Sequence, residues 1–133
     1  MNILVLNCGS SSLKFQLIST SLEQIEQRAD RVLAKGQIER IGGAGLLAFQ
    51  VAGEQTARSA RPVRDMRAAL DAVLQWIGAE ETNIDGVSGL ADIDAVGHRV
   101  VHGGESFIQS VLIDDAVLRG IDDCVELAPL HNP

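Results

Sequence analysis

The hydrophobic pattern changes period along this chain. Ile3 to Leu6 is a continuous apolar run, suited to a strand buried on both faces. Gly9 and three serines break it, and Leu13-Lys14-Phe15-Gln16-Leu17-Ile18 then alternates with period two. The simplest reading is strand, tight turn at Gly9-Ser10-Ser11-Ser12, strand. Residues 19–30 are polar and read as a connection. Val32–Ile41 and Leu46–Ala52 read as two more strands, separated by Gly42-Gly43-Ala44-Gly45, which completes an opening meander.

Met66, Ala69, Leu70, Val73, Leu74 and Ile77 then recur at spacings of three and four, the mark of an amphipathic helix. Pro62 before it and Gly78 after it serve as its boundaries, and Trp76 falls within its period as partial core. Residues 79–92 are a polar, Gly-containing connection. Ala95–Val101 is rich in β-branched residues and predicts a strand that meets a loop at Gly103-Gly104. Val111–Ile113 predicts a short strand. Asp114 and Asp115 offer an N-cap for a helix carrying Val117, Leu118, Ile121, Val125 and Leu127, closed by Pro129. Strands first, then helix, strand and helix, imply an α/β fold with a mixed sheet.

Composition narrows the class. A chain of 133 residues suits one domain. It buries roughly two thirds of its unfolded surface, so a core needs no disulfide scaffold. With 46% hydrophobic and 22% charged residues, wholesale disorder is excluded. The formal net charge of -7 repels polyphosphate backbones, and three phenylalanines and one tryptophan with no tyrosine make no aromatic stacking surface, so general nucleic-acid binding is not expected. Cys8 and Cys124 lie far apart and outside any metal spacing, as expected of reduced cytosolic thiols; Cys8 reads as buried. No apolar run approaches the ~20 residues of a membrane span, and the opening apolar stretch is too short for a signal sequence. A soluble, cytoplasmic protein without membrane attachment is expected. The end at His131-Asn132-Pro133 reads as a cut in the middle of a segment.

Three segments carry candidate chemistry. In Asn7-Cys8-Gly9-Ser10-Ser11-Ser12-Leu13-Lys14, a Gly-Ser turn between buried strands presents N–H groups and hydroxyls able to hold a phosphate oxygen, with Lys14 as a point charge. The alternative is a plain hairpin turn with a solvated lysine. In Gly97-His98-Arg99-Val100-Val101-His102-Gly103-Gly104, the flanking valines and glycines argue for a strand and against a helical zinc site. On a strand Arg99 and Val101 share one face: a guanidinium for a carboxylate or phosphate beside a β-branched wall. The alternative there is a structural ion pair. Leu127-Ala128-Pro129-Leu130-His131-Asn132-Pro133 is a rigid loop that places Leu130 and His131, or simply a helix terminator.

Taken jointly, these three segments resemble the acetokinase family of the actin, sugar-kinase and heat-shock ATPase superfamily. They occur in family order at family-like spacing, and the likeness runs through essentially the whole chain. The resemblance implies a ribonuclease-H-like (actin-like ATPase) domain, with opening antiparallel strands and flanking helices. It implies reversible transfer of the ATP γ-phosphoryl group to acetate, giving acetyl phosphate and ADP, with Mg²⁺. By the same resemblance Asn7 helps position the metal, while Ser10, Ser12 and Lys14 lie along the phosphates. Arg99 corresponds to the arginine that holds the substrate carboxylate and serves catalysis. Val101 and Leu130 match the pocket for the acetate methyl, and His131 matches a histidine of the active-site cleft. His98 and His102 belong to the motif but not to the chemistry.

Family members are considerably longer and carry a second domain of the same general fold. Residues 1–133 are therefore expected to be an incomplete N-terminal domain, inactive alone, of a protein that pairs as a homodimer. A propionate or butyrate kinase differs only in the acyl pocket, where a methylene is worth ~1–3 kcal/mol. A stand-alone phosphate-binding module is the alternative outside catalysis.

Overall fold

Period-two alternation in the first half of the chain builds a sheet with one dry face. The computed structural model describes residues 1–101 and 103–127. Strands β1 (Asn2–Cys8) and β2 (Leu13–Ser19) pair antiparallel, from Cys8 opposite Leu13 to Asn2 opposite Ser19. The meander continues through β3 (Arg31–Glu39), β4 (Gly43–Val51) and β5 (Ala57–Val63). Strand β6 (Ala95–His98) returns to pair parallel with β1, so the order is β5-β4-β3-β2-β1-β6 and the sheet is mixed. Short helix α1 (Leu22–Gln27) lies between β2 and β3, and α2 (Met66–Gly78) follows β5.

Inward-facing Leu4, Leu6, Leu13, Phe15, Leu17, Ile38, Leu47 and Phe49 form one core with Ala69, Ala72, Val73 and Ile77 of α2. Full burial of a side chain such as Leu13 or Leu17 stabilises by about 1.5–3 kcal/mol. Phe15, Phe49 and Trp76 pack edge-on or tilted, with ring centroids 5.0–5.9 Å apart. Trp76 is thus partial core, as its place in the helical period predicts.

Several expectations need correction. The polar stretch after β2 is not only a connection: Ser21 caps α1 by accepting from the Gln24 N–H, and Arg28 ends it in the left-handed conformation. Strand β5 escapes a search for alternation because six of its seven residues are exposed. It is an edge strand, where Pro62 leaves no ladder hydrogen bond unmade. Pro62 therefore does not mark the start of the helix. Asp65 does, accepting from the Ala68 N–H at 2.8 Å. The strand predicted to run from Ala95 to Val101 stops at His98, and Val111–Ile113 is not a strand.

Described separately, Met1–His98 form one compact unit and the residues from Arg99 onward a second. In the second unit Asp114 caps α3 (Asp115–Asp122), accepting from the N–H groups of Ala116 and Val117 at 2.9 and 2.8 Å. The cap falls where the sequence placed it. The helix is shorter than expected, and Val125–Leu127 form a separate 3-10 turn. Phe107 donates its N–H to Gly103 and lays its ring against Gly120 of α3; a Cβ at Gly120 would come within 2.7 Å of that ring. Among the described residues no helix is long and apolar enough to cross a membrane.

Candidate functional site

The serine-rich turn is a hairpin tip closed by the Gly9 N–H, which donates to the Ser12 carbonyl at 2.8 Å. The Ile41 N–H, from the β3–β4 connection, donates to the Ser11 carbonyl at 2.9 Å and braces the tip from the side. None of residues 9–12 adopts left-handed backbone. Glycine at position 9 leaves room for the Ser12 side chain instead: a Cβ there would lie 2.8 Å from the Ser12 hydroxyl oxygen, which would have to turn away. Ser10 and Ser11 are exposed and Ser12 is half-buried.

Hairpin closure sets what stands beside the turn. Asn7 and Lys14 are directly opposite in the β1–β2 register, and both are exposed on the outer face of the sheet. They line one end of an open hollow of about 530 Å³. Ser10 and Ser12 lie in the turn joining the two strands and are not walls of that hollow. Four of the anticipated residues, Asn7, Ser10, Ser12 and Lys14, are thus gathered within one hairpin.

Arg99 and Val101 belong to the second unit, and both are exposed. Because β6 ends at His98, no strand ladder fixes them on a common face, so the alternation expected across 98–102 is not the reason for their arrangement. His102, Leu130 and His131 lie outside the described residues.

Cys8 differs from its expectation. It is half-buried rather than buried, and its Sγ lies 3.4 Å from Nε2 of His98, brought alongside by the parallel β1–β6 pairing. Burial pushes the Cys8 thiol above the ordinary cysteine range. A raised value means less thiolate at neutral pH, and the thiolate is the nucleophile. Alkylation of Cys8 by iodoacetamide, followed by mass spectrometry, is expected to have a pH profile displaced to higher pH than that of free cysteine. A profile displaced to lower pH would show that His98 stabilises the thiolate and outweighs desolvation.

Sequence reasoning missed most of the other walls of the hollow, among them Gln16, Lys35, Gln37, Ala48, Gln50, Thr56 and Arg58. The available signal was the outward set of the alternation on β2 and β3, where Lys14, Gln16, Lys35 and Gln37 are polar and the inward set is apolar; on β4 only Gln50 adds to it. Among the described residues no group of three or more His, Cys, Asp or Glu is placed to hold a metal ion. The Asn7 carboxamide suits Mg²⁺, which keeps several waters and is otherwise held by substrate phosphates.

A model of the acetokinase family matches residues 2–133. The chain is 54% identical over its whole length to the acetate kinase of Chloroherpeton thalassium and 51% identical to that of Solibacter usitatus, covering 33% and 32% of those proteins. It therefore spans about a third of the length of these relatives. Among solved structures, it superposes with a TM-score of 0.86 on the Porphyromonas gingivalis acetate kinase, at 34% identity over 99% of this chain and 31% of that one. A propionate kinase from Francisella tularensis matches with a TM-score of 0.79, also at 34% identity, over 99% of this chain and 30% of that one. The architecture is that of the actin-like ATPase fold of these kinases. The chain belongs to the acetokinase family.

Proposed function

We propose that residues 1–133 are the N-terminal part of an acetate kinase, a phosphotransferase that moves the γ-phosphoryl group of ATP reversibly onto acetate, giving acetyl phosphate and ADP. The observation that carries this reading is the pairing of Asn7 with Lys14 across a Gly-Ser turn, in a chain of this family. Phosphoryl transfer asks little covalent chemistry of a protein; it asks for in-line positioning and for charge. Two anions, acetate and the terminal phosphate, must be brought together. Lys14 offsets part of that repulsion at the phosphates, beside the N–H groups and hydroxyls of Ser10 and Ser12. Arg99 holds the acetate carboxylate, and Val101 with Leu130 encloses its methyl, while His131 stands in the cleft. A carboxylate is ionised at pH 7 and needs no general base to act as a nucleophile.

Mg²⁺ would supply further charge neutralisation when bound, and Asn7 is the residue of this chain that would help position it. The remaining machinery belongs to sequence beyond this third of the protein, and the whole is a cytoplasmic homodimer. Residues 1–133 alone are therefore expected to form no acetyl phosphate above background in a hydroxamate assay with ATP, Mg²⁺ and acetate. The same chain extended to the length of its relatives should turn over. Turnover by the short chain at an ordinary kinase rate of about 1–100 s⁻¹ would refute the division of labour.

Equal identity to an acetate kinase and a propionate kinase makes the acyl group a matter for direct measurement. Val101 narrows the pocket, so the extended enzyme should prefer acetate to propionate by about 10- to 200-fold in kcat/KM, a preference and not an exclusion. A reversed order would make it a propionate kinase. Tight binding of phosphate or ADP to the short chain, without turnover of the extended one, would favour the stand-alone binding module.

A further inference from the structure

The outward face of the meander concentrates positive charge in a chain that is otherwise acidic. The hollow that begins at Asn7 and Lys14 runs across the strands to Lys35 on β3 and Arg58 on β5. Its walls hold three cations and four carboxamides, those of Asn7, Gln16, Gln37 and Gln50, and no carboxylate, although the chain has 18 acidic residues against 11 basic ones. The one acid further along β3 on this face, Glu39, is not among its walls. Among the described residues the only ion pairs are Arg31–Asp85 and Arg64–Asp65, so none of the three cations has a carboxylate partner.

Register explains why they face one space. Lys14 is opposite Gln37 and Lys35 is opposite Gln16, which makes the two lysines diagonal neighbours with Cα atoms about 7–8 Å apart. Gln37 is opposite Ala48, and Ala48 is opposite Arg58. The small Ala48 side chain leaves the floor low between Gln37 and Arg58. Like charges set diagonally on a sheet repel, and an anion between them removes that repulsion. Guanidinium, ammonium and the carboxamide N–H groups of Asn7, Gln16 and Gln37 are all donors that match the many acceptor oxygens of linked phosphates, whereas Gln50 already donates an N–H to the Glu54 carbonyl at 2.7 Å.

We propose that this face is a second anion site, centred on Lys35 and Arg58, for a compact polyanion of the oligophosphate kind. It borders Lys14, so an occupant competes for that ammonium and slows phosphoryl transfer at the turn. That competition rests on the kinase reading, whereas binding at Lys35 and Arg58 does not. Binding of orthophosphate to the turn tests one, and binding of oligophosphate to the hollow tests the other.

The test is calorimetric titration of the chain at low ionic strength with tripolyphosphate and, separately, with orthophosphate. Tripolyphosphate should bind at one site. Lys35→Gln combined with Arg58→Gln should weaken it about tenfold, with orthophosphate affinity unchanged. Arg64→Gln with Arg67→Gln removes the same charge elsewhere and should leave tripolyphosphate binding intact. Ala48→Leu keeps every charge but fills the floor, and should weaken binding even if the double charge variant fails to fold. Fivefold or greater weakening by the hollow variants, with the control unaffected, supports the site. No binding by the unsubstituted chain, equal loss in the control, or a smaller effect overturns it.

Discussion

Alanine in place of Gly36 is expected to cost about 3 kcal/mol of folding stability, and valine there to abolish cooperative folding. Gly36 lies on the inward face of β3, opposite Phe15 on one side and Phe49 on the other. A Cβ at this position would come within 2.6 Å of both rings and 2.8 Å of the Ala48 carbonyl oxygen. One ring alone has room to turn. Here both rings are also held by Trp76, and the carbonyl is backbone engaged in the sheet, so relief requires β3 itself to move. That movement would carry Lys35 and Gln37, the outward neighbours of Gly36, away from the hollow. For a chain of this size the alanine variant should melt about 10 °C lower in a thermal scan. Trimming one obstacle, with Gly36→Ala and Phe49→Leu combined, should cost less than the sum of the separate changes. A melting temperature within about 2 °C of the unsubstituted chain would show that the aromatic cluster is looser than its geometry states.

What was legible in the sequence follows from which elements have a dry side. Strands β1 to β4 and helix α2 each place a periodic apolar set against a common core, so local pattern and tertiary environment agree. Strand β5 buries only Val63 at its end: its ladder to β4 orders it, and a ladder leaves no trace in side-chain hydropathy. Helix α1 buries nothing and rests on its caps. Val111–Ile113 shows the reverse error, an apolar run that no neighbouring strand pairs. For the candidate site, the Gly-Ser turn was readable because a hairpin is local, and a tip at Ser10-Ser11 puts Asn7 opposite Lys14 directly. Lys35 and Arg58 are far apart in sequence and meet only through the registers of three successive strand pairs. Nothing in either residue's own surroundings announces the other. Cys8 and His98 were missed for the same reason, since a parallel pairing of β1 with β6 unites them across most of the chain.

On the proposed kinase reading, loss of the guanidinium at position 99 is expected to be severely damaging to the activity of the full-length enzyme. Arg99→Ala should remove about 2–4 kcal/mol of transition-state stabilisation, roughly 30- to 1,000-fold in kcat/KM for acetate. The reason is chemical. Acetate offers one carboxylate and one methyl, and the methyl contributes only ~1–3 kcal/mol, so the carboxylate must supply most of the orientation. A planar fork with paired N–H donors sets both the position and the rotation of a carboxylate, and it offsets the repulsion from the incoming phosphate. Arg99→Lys keeps the charge and loses the fork, so it should restore only part of the rate. The two ends of the reaction can be separated by their Michaelis constants. Arg99→Ala should raise KM for acetate and leave KM for ATP nearly unchanged, whereas Lys14→Ala should act on the nucleotide side. If Arg99→Ala left the rate constant and the acetate dependence as they were, the carboxylate would have to be held by another residue, and Arg99 would leave the mechanism.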